Sequence, residues 1–469
     1  MKRNLGKIVL CLLVLSVVLI VPQTVNAKSN KGISIKENFG NYKYALRKKE
    51  RDKNQDGYLS KAEIKEIKSL DLREDTSINV KGISKLKYLE KLTLDTMKNV
   101  RNLKEVEKLR RLKYLKIGME TKKKRTLDLR KNKKIETLYI YCLENKLNVK
   151  IRKKNIIKNL YLEGAKNSME IANKCKKVQT IEIEKHGNQE KLNLVNRKKL
   201  KKVYLCTDVK EIKIQNCAKL EKVKFNECKS TSCTIENNPK LQFIKMYQTK
   251  APNLTIQNLK GLKWINIDGK RILKLSLNGL DNLRKIKLYN AKGLTDLTIS
   301  DFPKLWKIDI CRVSDLQSFT VENLKNLKQM NCMVGKVTEL NIVGDHKLKK
   351  VRVCDNKLKT FAYDNLKNVR YLDISNNQIE GRFDFTLYPN IYELDCSNNR
   401  ISEIYGGPLN REIGYINCSN NNMKLLHFTE LDKYAGFIFY VNCKKNPDIE
   451  VHAWMEDYDS DPTANIPYH

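Results

Sequence analysis

Apolar residues recur along this chain in one short motif, apolar-x-x-apolar-x-apolar, whose central position returns every 20 to 23 residues, with one last step of 25. It reads Leu89-Leu92-Leu94, Leu112-Leu115-Ile117 and Ile135-Leu138-Ile140 near the start. It reads Val369-Leu372-Ile374, Ile391-Leu394-Cys396 and Ile413-Ile416-Cys418 near the end. Weaker copies stand at Leu70-Leu72 and Val441-Cys443, so about 18 repeats fit the chain. Within each copy the last two apolar residues alternate with polar ones, the period of a strand that buries one face. One such strand cannot bury its edge alone, so stacked copies must form a parallel sheet over a continuous core. At a strand spacing of roughly 4.8 Å, 18 rungs make a body on the order of 85 Å long. A second apolar pair lies 11 residues before most of these motifs, as in Leu192-Leu194, Ile212-Ile214, Leu254-Ile256 and Phe319-Val321. Each rung is therefore expected to hold two short strands and to leave little room for a helix.

The stretches Leu372-Asp-Ile-Ser-Asn-Asn-Gln-Ile379 and Leu394-Asp-Cys-Ser-Asn-Asn-Arg-Ile401 resemble the LxxLxLxxNxL signature of leucine-rich repeats. They are similar in particular to the short, two-strand repeats of bacterial secreted and cell-surface proteins. The resemblance implies a mainly β leucine-rich-repeat solenoid. It also implies that Asn356, Asn377, Asn399 and Asn421 turn inward and hydrogen-bond the backbone, which satisfies polar groups cut off from water. Rungs in the amino-terminal two-thirds depart from this pattern: Ser314 and Gly335 take the Asn position and others lack it. Those rungs are expected to be less regular.

Ahead of the first rung, Asp52-Lys-Asn54-Gln-Asp56-Gly57-Tyr58-Leu59-Ser60-Lys-Ala-Glu63 matches an EF-hand loop at each key position. Ca²⁺ takes oxygen ligands at loop positions 1, 3, 5, 7, 9 and 12, here Asp52, Asn54, Asp56, the Tyr58 carbonyl, Ser60 and Glu63; a glycine at position 6 makes the sharp turn. Flanking helices are expected over residues 44–51 and 61–67. The segment resembles the single dockerin-like or EF-hand-like loop that precedes such repeats in bacterial surface proteins, which implies one bound Ca²⁺. The alternative is a turn that caps the solenoid with its carboxylates on backbone amides. Arg47, Lys48, Lys49, Arg51 and Lys61 work against a cation here.

The ends and the charge divide the chain further. Lys2, Arg3 and Lys7, then the apolar run Ile8–Val21 and Val25-Asn26-Ala27, have the layout of a cleavable secretory signal. The expected organisation is a signal peptide over 1–27, an EF-hand-like cap over 28–66, the solenoid over 67–446 and an acidic cap or tail over 447–469. The run is short for a spanning helix, so no transmembrane anchor is expected. Of the formal charge of +39, residues 28–366 carry +42, whereas residues 367–469 hold nine Lys and Arg against fifteen Asp and Glu. Such a field bears on partners, not on fold. Outside a cell it suits anionic wall polymers and acidic glycans, and nucleic acid less well. Twelve cysteines follow the signal, widely spaced; several fill the apolar strand position and so read as small buried hydrophobes with free thiols.

Outward positions of the main strand hold Tyr114, Lys116, Tyr139, Tyr161, Tyr204, Lys224, Lys245 and Trp264, a platform of aromatics and cations for a partner. Cross-strand packing alone could also account for these aromatics. The five histidines lie in no HExxH arrangement, and no GxSxG, P-loop or dinucleotide-binding turn is present, so no catalytic residues are expected. The leading expectation is a secreted or cell-surface protein that binds a protein or glycan partner. The alternative is a structural envelope component held by charge to anionic wall polymers.

Overall fold

A computed structural model describes residues 32–96, 98–184, 191–344, 346–406, 412–428, 440–446 and 450–453. The expected signal peptide, 1–27, and nearly all of the expected tail, 447–469, lie outside them. Eighteen short strands, from Ser69–Glu74 to Tyr440–Asn442, form one parallel sheet. The inward middle residue of each rung faces that of the next: Leu70 opposite Leu92, Leu92 opposite Leu115, and so on to Ile416 opposite Val441. The first strand pairs with Lys91–Thr96 and the last with Tyr415–Asn417, and no described bond joins the two. The sheet is therefore an open stack with two edges rather than a barrel. Inward residues such as Leu92, Leu160, Ile265 and Leu394 are at most 1% exposed. Each such side chain contributes about 1.5–3 kcal/mol on burial.

The second face is interrupted. Its longest piece joins five strands, Lys191–Val195, Glu211–Gln215, Ser232–Glu236, Asn253–Gln257 and Lys274–Asn278, with Thr234, Thr255 and Ser276 aligned along it. The sheet stops there; the next second-face strand, Asp296–Ser300, follows a turn in which Gly293 stands at φ 85°. A three-stranded and a four-stranded piece follow.

The expectation of little room for a helix fails at Ser168–Lys174, an α-helix of seven residues that buries Met169, Ile171 and Ala172. Those apolar residues follow a helical rather than an alternating period. Nearer the start, 3₁₀ turns at Ile83–Lys85 and Leu103–Lys108 replace part of the second face.

Where a second-face strand ends, the chain reverses through one left-handed residue. Asn196, Asn216, Asn237, Asn258, Gly279, Asp301, Asn323 and Gly344 follow directly on eight successive strands, with φ between 54° and 88°. Asn, Asp and Gly are the residues that adopt this conformation at least cost. Val334, at φ 60° after a main strand, is the β-branched exception.

Inside the turns after the last main strands runs a ladder of buried amides. Asn356 donates to the carbonyls of Cys332 (2.8 Å) and Cys354 (2.9 Å), and Asn377 to those of Val353 (2.8 Å) and Ile374 (2.9 Å). Asn399 and Asn421 repeat the pattern, and Asn446 continues it to the carbonyls of Cys418 and Cys443. In earlier rungs other residues satisfy the turn. Cys228 Sγ donates to the Thr207 carbonyl at 2.8 Å, and buried Asn238, Arg197 and His346 reach carbonyls of the opposite turn. The twelve described cysteines are free thiols. Burial pushes the Cys175 thiol up to about 12, far from a reactive thiolate.

The amino-terminal segment sits on the first rung. Gly40 N–H and the Tyr42 hydroxyl both donate to the Lys81 carbonyl at 3.1 Å, and Asn79 N–H donates to Asn41 Oδ1 at 2.7 Å. Ile35, Phe39 and Leu46 share one apolar cluster with Leu70 and Ile78.

Candidate ligand-binding face and amino-terminal loop

Parallel pairing places the outward strand residues in straight columns. Lys116, Tyr139, Tyr161, Glu182, Tyr204, Lys224, Lys245, Asn266 and Lys287 stand opposite one another in unbroken register. The adjoining column runs through Lys202, Lys222, Phe243, Trp264, Lys285 and Lys307. Six of the eight residues expected to meet a partner thus share the central column, while Tyr114 and Trp264 lie in the adjoining one. Seven of them fall into two groups of different character, with Tyr204 between the groups, opposite Glu182 and Lys224.

In the first group the side chains engage one another. Lys116 Nζ lies 2.5 Å from Asp95 and 5.0 Å from the centre of the Tyr139 ring, and Tyr139 stacks on Tyr161 at 5.5 Å. Tyr114 receives Lys91 at 5.2 Å. Burial raises the Tyr139 and Tyr161 hydroxyls above their ordinary value. Beside Tyr161, burial and then the charge of Glu184 hold the Glu182 carboxyl above its usual range.

The second group is open. Trp264 is 52% exposed and meets Phe243 edge to face at 6.1 Å. Lys222 lies 5.9 Å over Phe243, with Lys224 and Lys245 alongside in the central column. Lys285 and Lys307 follow Trp264, and Asp309 closes the block at 3.6 Å from Lys287 and 3.9 Å from Lys307. A shallow depression beside the column is lined by Lys245, Tyr247, Asn266, Asp268 and Tyr289. Lys222, two positions before the expected Lys224, and Lys285 and Lys307 are not among the residues expected from the sequence. Farther on, the acids serve the turns: Asp373 and Asp395 each accept from the amide and hydroxyl of the serine two residues on.

The loop at 52–63 is closed by its own amides. Asp52 is 2% exposed; its Oδ2 accepts from Gly57 N–H at 3.0 Å, and its Oδ1 is buried with no partner. Glu63 accepts from Lys53 N–H (2.7 Å) and Ser60 N–H (2.8 Å), the latter completing a capping box for the helix Lys61–Glu66. Asn54 and Asp56 bond each other at 3.0 Å, and Asp56 accepts from Tyr58 N–H at 2.8 Å. Tyr58–Leu59 pairs antiparallel with Ile33–Ser34, and Leu59 is fully buried. Among the described residues no three Asp, Glu, His or Cys side chains gather closely enough to hold a metal in this arrangement. The entering helix is shorter than expected, Lys43–Leu46 rather than 44–51. Like charges at Arg47, Lys48, Lys49 and Arg51 oppose its continuation, and the chain turns instead through bonds from Arg51 and Asp52 N–H to the Lys48 carbonyl.

No protein-family model matches the sequence, and no curated protein matches it. Solved structures do. The Toll–Spatzle complex of Drosophila aligns at 14% identity and TM-score 0.43, covering 81% of this chain; the chain spans 57% of that one. The functional domain of InlJ from Listeria monocytogenes, described as including a cysteine ladder, aligns at 16% and TM-score 0.42, over 83% of this chain and 81% of that one. A leucine-rich-repeat protein of Leptospira interrogans aligns at 16% and TM-score 0.37, over 79% and 93%. The stacked sheet itself makes the fold a parallel β-solenoid. At these identities and scores the likeness carries nothing about what the chain binds. No helix among the described residues is long and apolar enough to cross a membrane.

Proposed function

We propose that this is an exported or surface-displayed binding protein that holds a protein or glycan partner bearing acidic groups against the middle of its main sheet. The observation that carries the reading is Trp264, half exposed, in a column with two lysines on each side. An aromatic face beside cations offers a sugar ring or an apolar side chain a stacking surface and an acid its counter-charge. A tryptophan this exposed contributes little to the core, and aromatic residues of this kind dominate binding energy at interfaces. The reading assigns no catalysis. Residues 28–469 should be tested against a panel of acidic and neutral glycans and against envelope proteins. Trp264→Ala is expected to weaken the selected partner by tenfold or more, with an unchanged melting curve. Equal binding by wild type and variant across the whole panel overturns the reading.

We also propose that the loop Asp52–Glu63 takes one Ca²⁺. The unpartnered, buried Asp52 Oδ1 supports it, because a carboxylate oxygen cut off from water is costly without a donor or cation. Asn54, Asp56, the Tyr58 carbonyl, Ser60 and Glu63 would complete the oxygen set. Glu63 would exchange its two amide donors for the ion. Calcium at about 1 mM, the range of extracellular modules, is expected to raise the unfolding midpoint of the wild-type chain and not that of Asp52→Asn. Identical melting with calcium and with chelator removes the assignment.

A further inference from the structure

The turn that leads into each main strand forms one long edge of the solenoid, separate from the sheet face. In three successive rungs that turn presents an adjacent pair of exposed lysines: Lys133-Lys134, Lys153-Lys154 and Lys176-Lys177. The pairs Arg110-Arg111 on one side and Lys198-Lys199 on the other extend the row to five rungs. Four of the pairs occupy the same place, three and four residues before the strand; the pair at Lys153 comes two residues earlier because buried Asn155 fills that place. Buried Leu112, Ile135, Ile157, Val178 and Leu200 anchor the turns from within, so the cations have no freedom to disperse along the chain.

Neutralisation is absent where it is most needed. Among the described residues, none of these ten side chains makes an ion pair, whereas lysines one turn position away do. Lys113 reaches Glu90 at 2.7 Å and Lys158 reaches Glu136 at 2.8 Å. Burial, then the charges of Arg197 and Lys153, hold the Lys176 ammonium below its ordinary value, so neighbouring rungs feel one another. Two charges per rung at roughly 4.8 Å give about one positive charge per 2.4 Å of edge. That is the order of the charge density of duplex DNA, about one per 1.7 Å, which holds condensed counter-ions and binds opposite polymers by releasing them.

We propose that this edge, from Arg110 to Lys199, binds a linear polyanion whose phosphate or sulfate groups lie along the stack. The chemistry selects among such partners. Eight of the ten cations are lysines, which act as point charges without the planar fork that reads one group in one orientation. No aromatic side chain stands in these five turns, and the ring at the end of the row, partly buried Tyr88, is already covered by Arg111 at 4.6 Å and Lys68 at 4.9 Å, so bases find no open ring to stack on. No large apolar side chain is exposed there either, so a bilayer finds nothing to take up. The row is one turn wide, which fits a single extended chain. This goes beyond the binding reading for the sheet face and does not depend on it.

The test compares two sixfold Lys→Gln variants of the chain over residues 28–469. One changes the three central pairs of the edge. The other changes Lys222, Lys224, Lys245, Lys285, Lys287 and Lys307 on the sheet face. The probes are long-chain inorganic polyphosphate, heparin, tripolyphosphate and phosphatidylglycerol vesicles. The edge variant is expected to bind polyphosphate or heparin at least tenfold more weakly, and the sheet variant within threefold of wild type. The salt dependence, log K against log salt, should flatten by about 4, near 0.7 per lost contact. Which long polymer binds more tightly separates phosphate from sulfate. Equal losses in both variants, tripolyphosphate binding as tight as the long chain, or edge-dependent binding to vesicles alone each overturn the proposal. Loss of partner binding by Trp264→Ala leaves the edge untouched, so the two readings fail separately.

Discussion

Asn399→Leu is expected to destabilise the solenoid by about 2–3 kcal/mol. Leucine matches asparagine closely in size, so little of the cost comes from a cavity. Asn399 Oδ1 accepts from Ile379 N–H at 2.9 Å, and its Nδ2 donates to the carbonyls of Ile374 (3.0 Å) and Cys396 (2.9 Å). The two carbonyls are shared: Asn377 also donates to Ile374 at 2.9 Å, and Asn421 to Cys396 at 3.1 Å. Only the Ile379 amide therefore loses its partner outright, and a buried unsatisfied donor costs about 1–3 kcal/mol. The two weakened carbonyls add less. Because rungs contact only their neighbours, the damage should be local. Hydrogen exchange should rise in residues 374–401 well before it rises near Leu160. Urea unfolding measures the total, and a loss below about 0.5 kcal/mol would falsify the ladder as a stabilising element.

The same ladder shows what was legible in the sequence. Asn377 and Asn399 announce themselves because a strand of period two, a turn and a buried amide come at fixed offsets in consecutive rungs. The register of the main sheet follows from the same regularity, since a slip of one residue would turn every leucine outward. Asn446 plays the same part but follows the longest step, where the phase is weakest. Arg197, Asn238 and His346 do equivalent work in the opposite turn with three different side chains, and no shared residue type marks them. The helix Ser168–Lys174 was hidden by the repeat itself, because two-strand rungs on both sides argued for a third.

The candidate site was legible by halves. The central column follows from strand periodicity, but its division into an engaged group around Tyr139 and an open one around Trp264 depends on which neighbours each ring meets. Composition showed the excess of lysine without its place. The paired cations of the turns carry no signal one at a time, and only the stacking puts five pairs on one edge.

Gly82→Val should cost more than any substitution on the sheet face, about 3 kcal/mol or more, and should unseat the amino-terminal cap. Gly82 has φ 78°, and a Cβ there would stand 1.9 Å from the Asn38 carbonyl oxygen and 3.0 Å from its carbon. The obstacle is backbone, so no side-chain rotation relieves it. The cap must lift, and with it go the bonds of Gly40 and Tyr42 to Lys81. Leu70 and Ile78 then lose their cover, and the open edge at Ser69–Glu74 becomes available to other chains. Gly381→Val separates this from simple strain. Gly381 has φ 76° with nothing within 4 Å of its added Cβ, so valine there carries little beyond the left-handed penalty of about 1–2 kcal/mol. The Gly82 variant should therefore melt lower than the Gly381 variant, be cleaved within residues 32–66 by dilute protease, and elute as larger species in size-exclusion chromatography. Equal melting of the two variants, with the cap still protected, means that the segment does not hold the first rung closed.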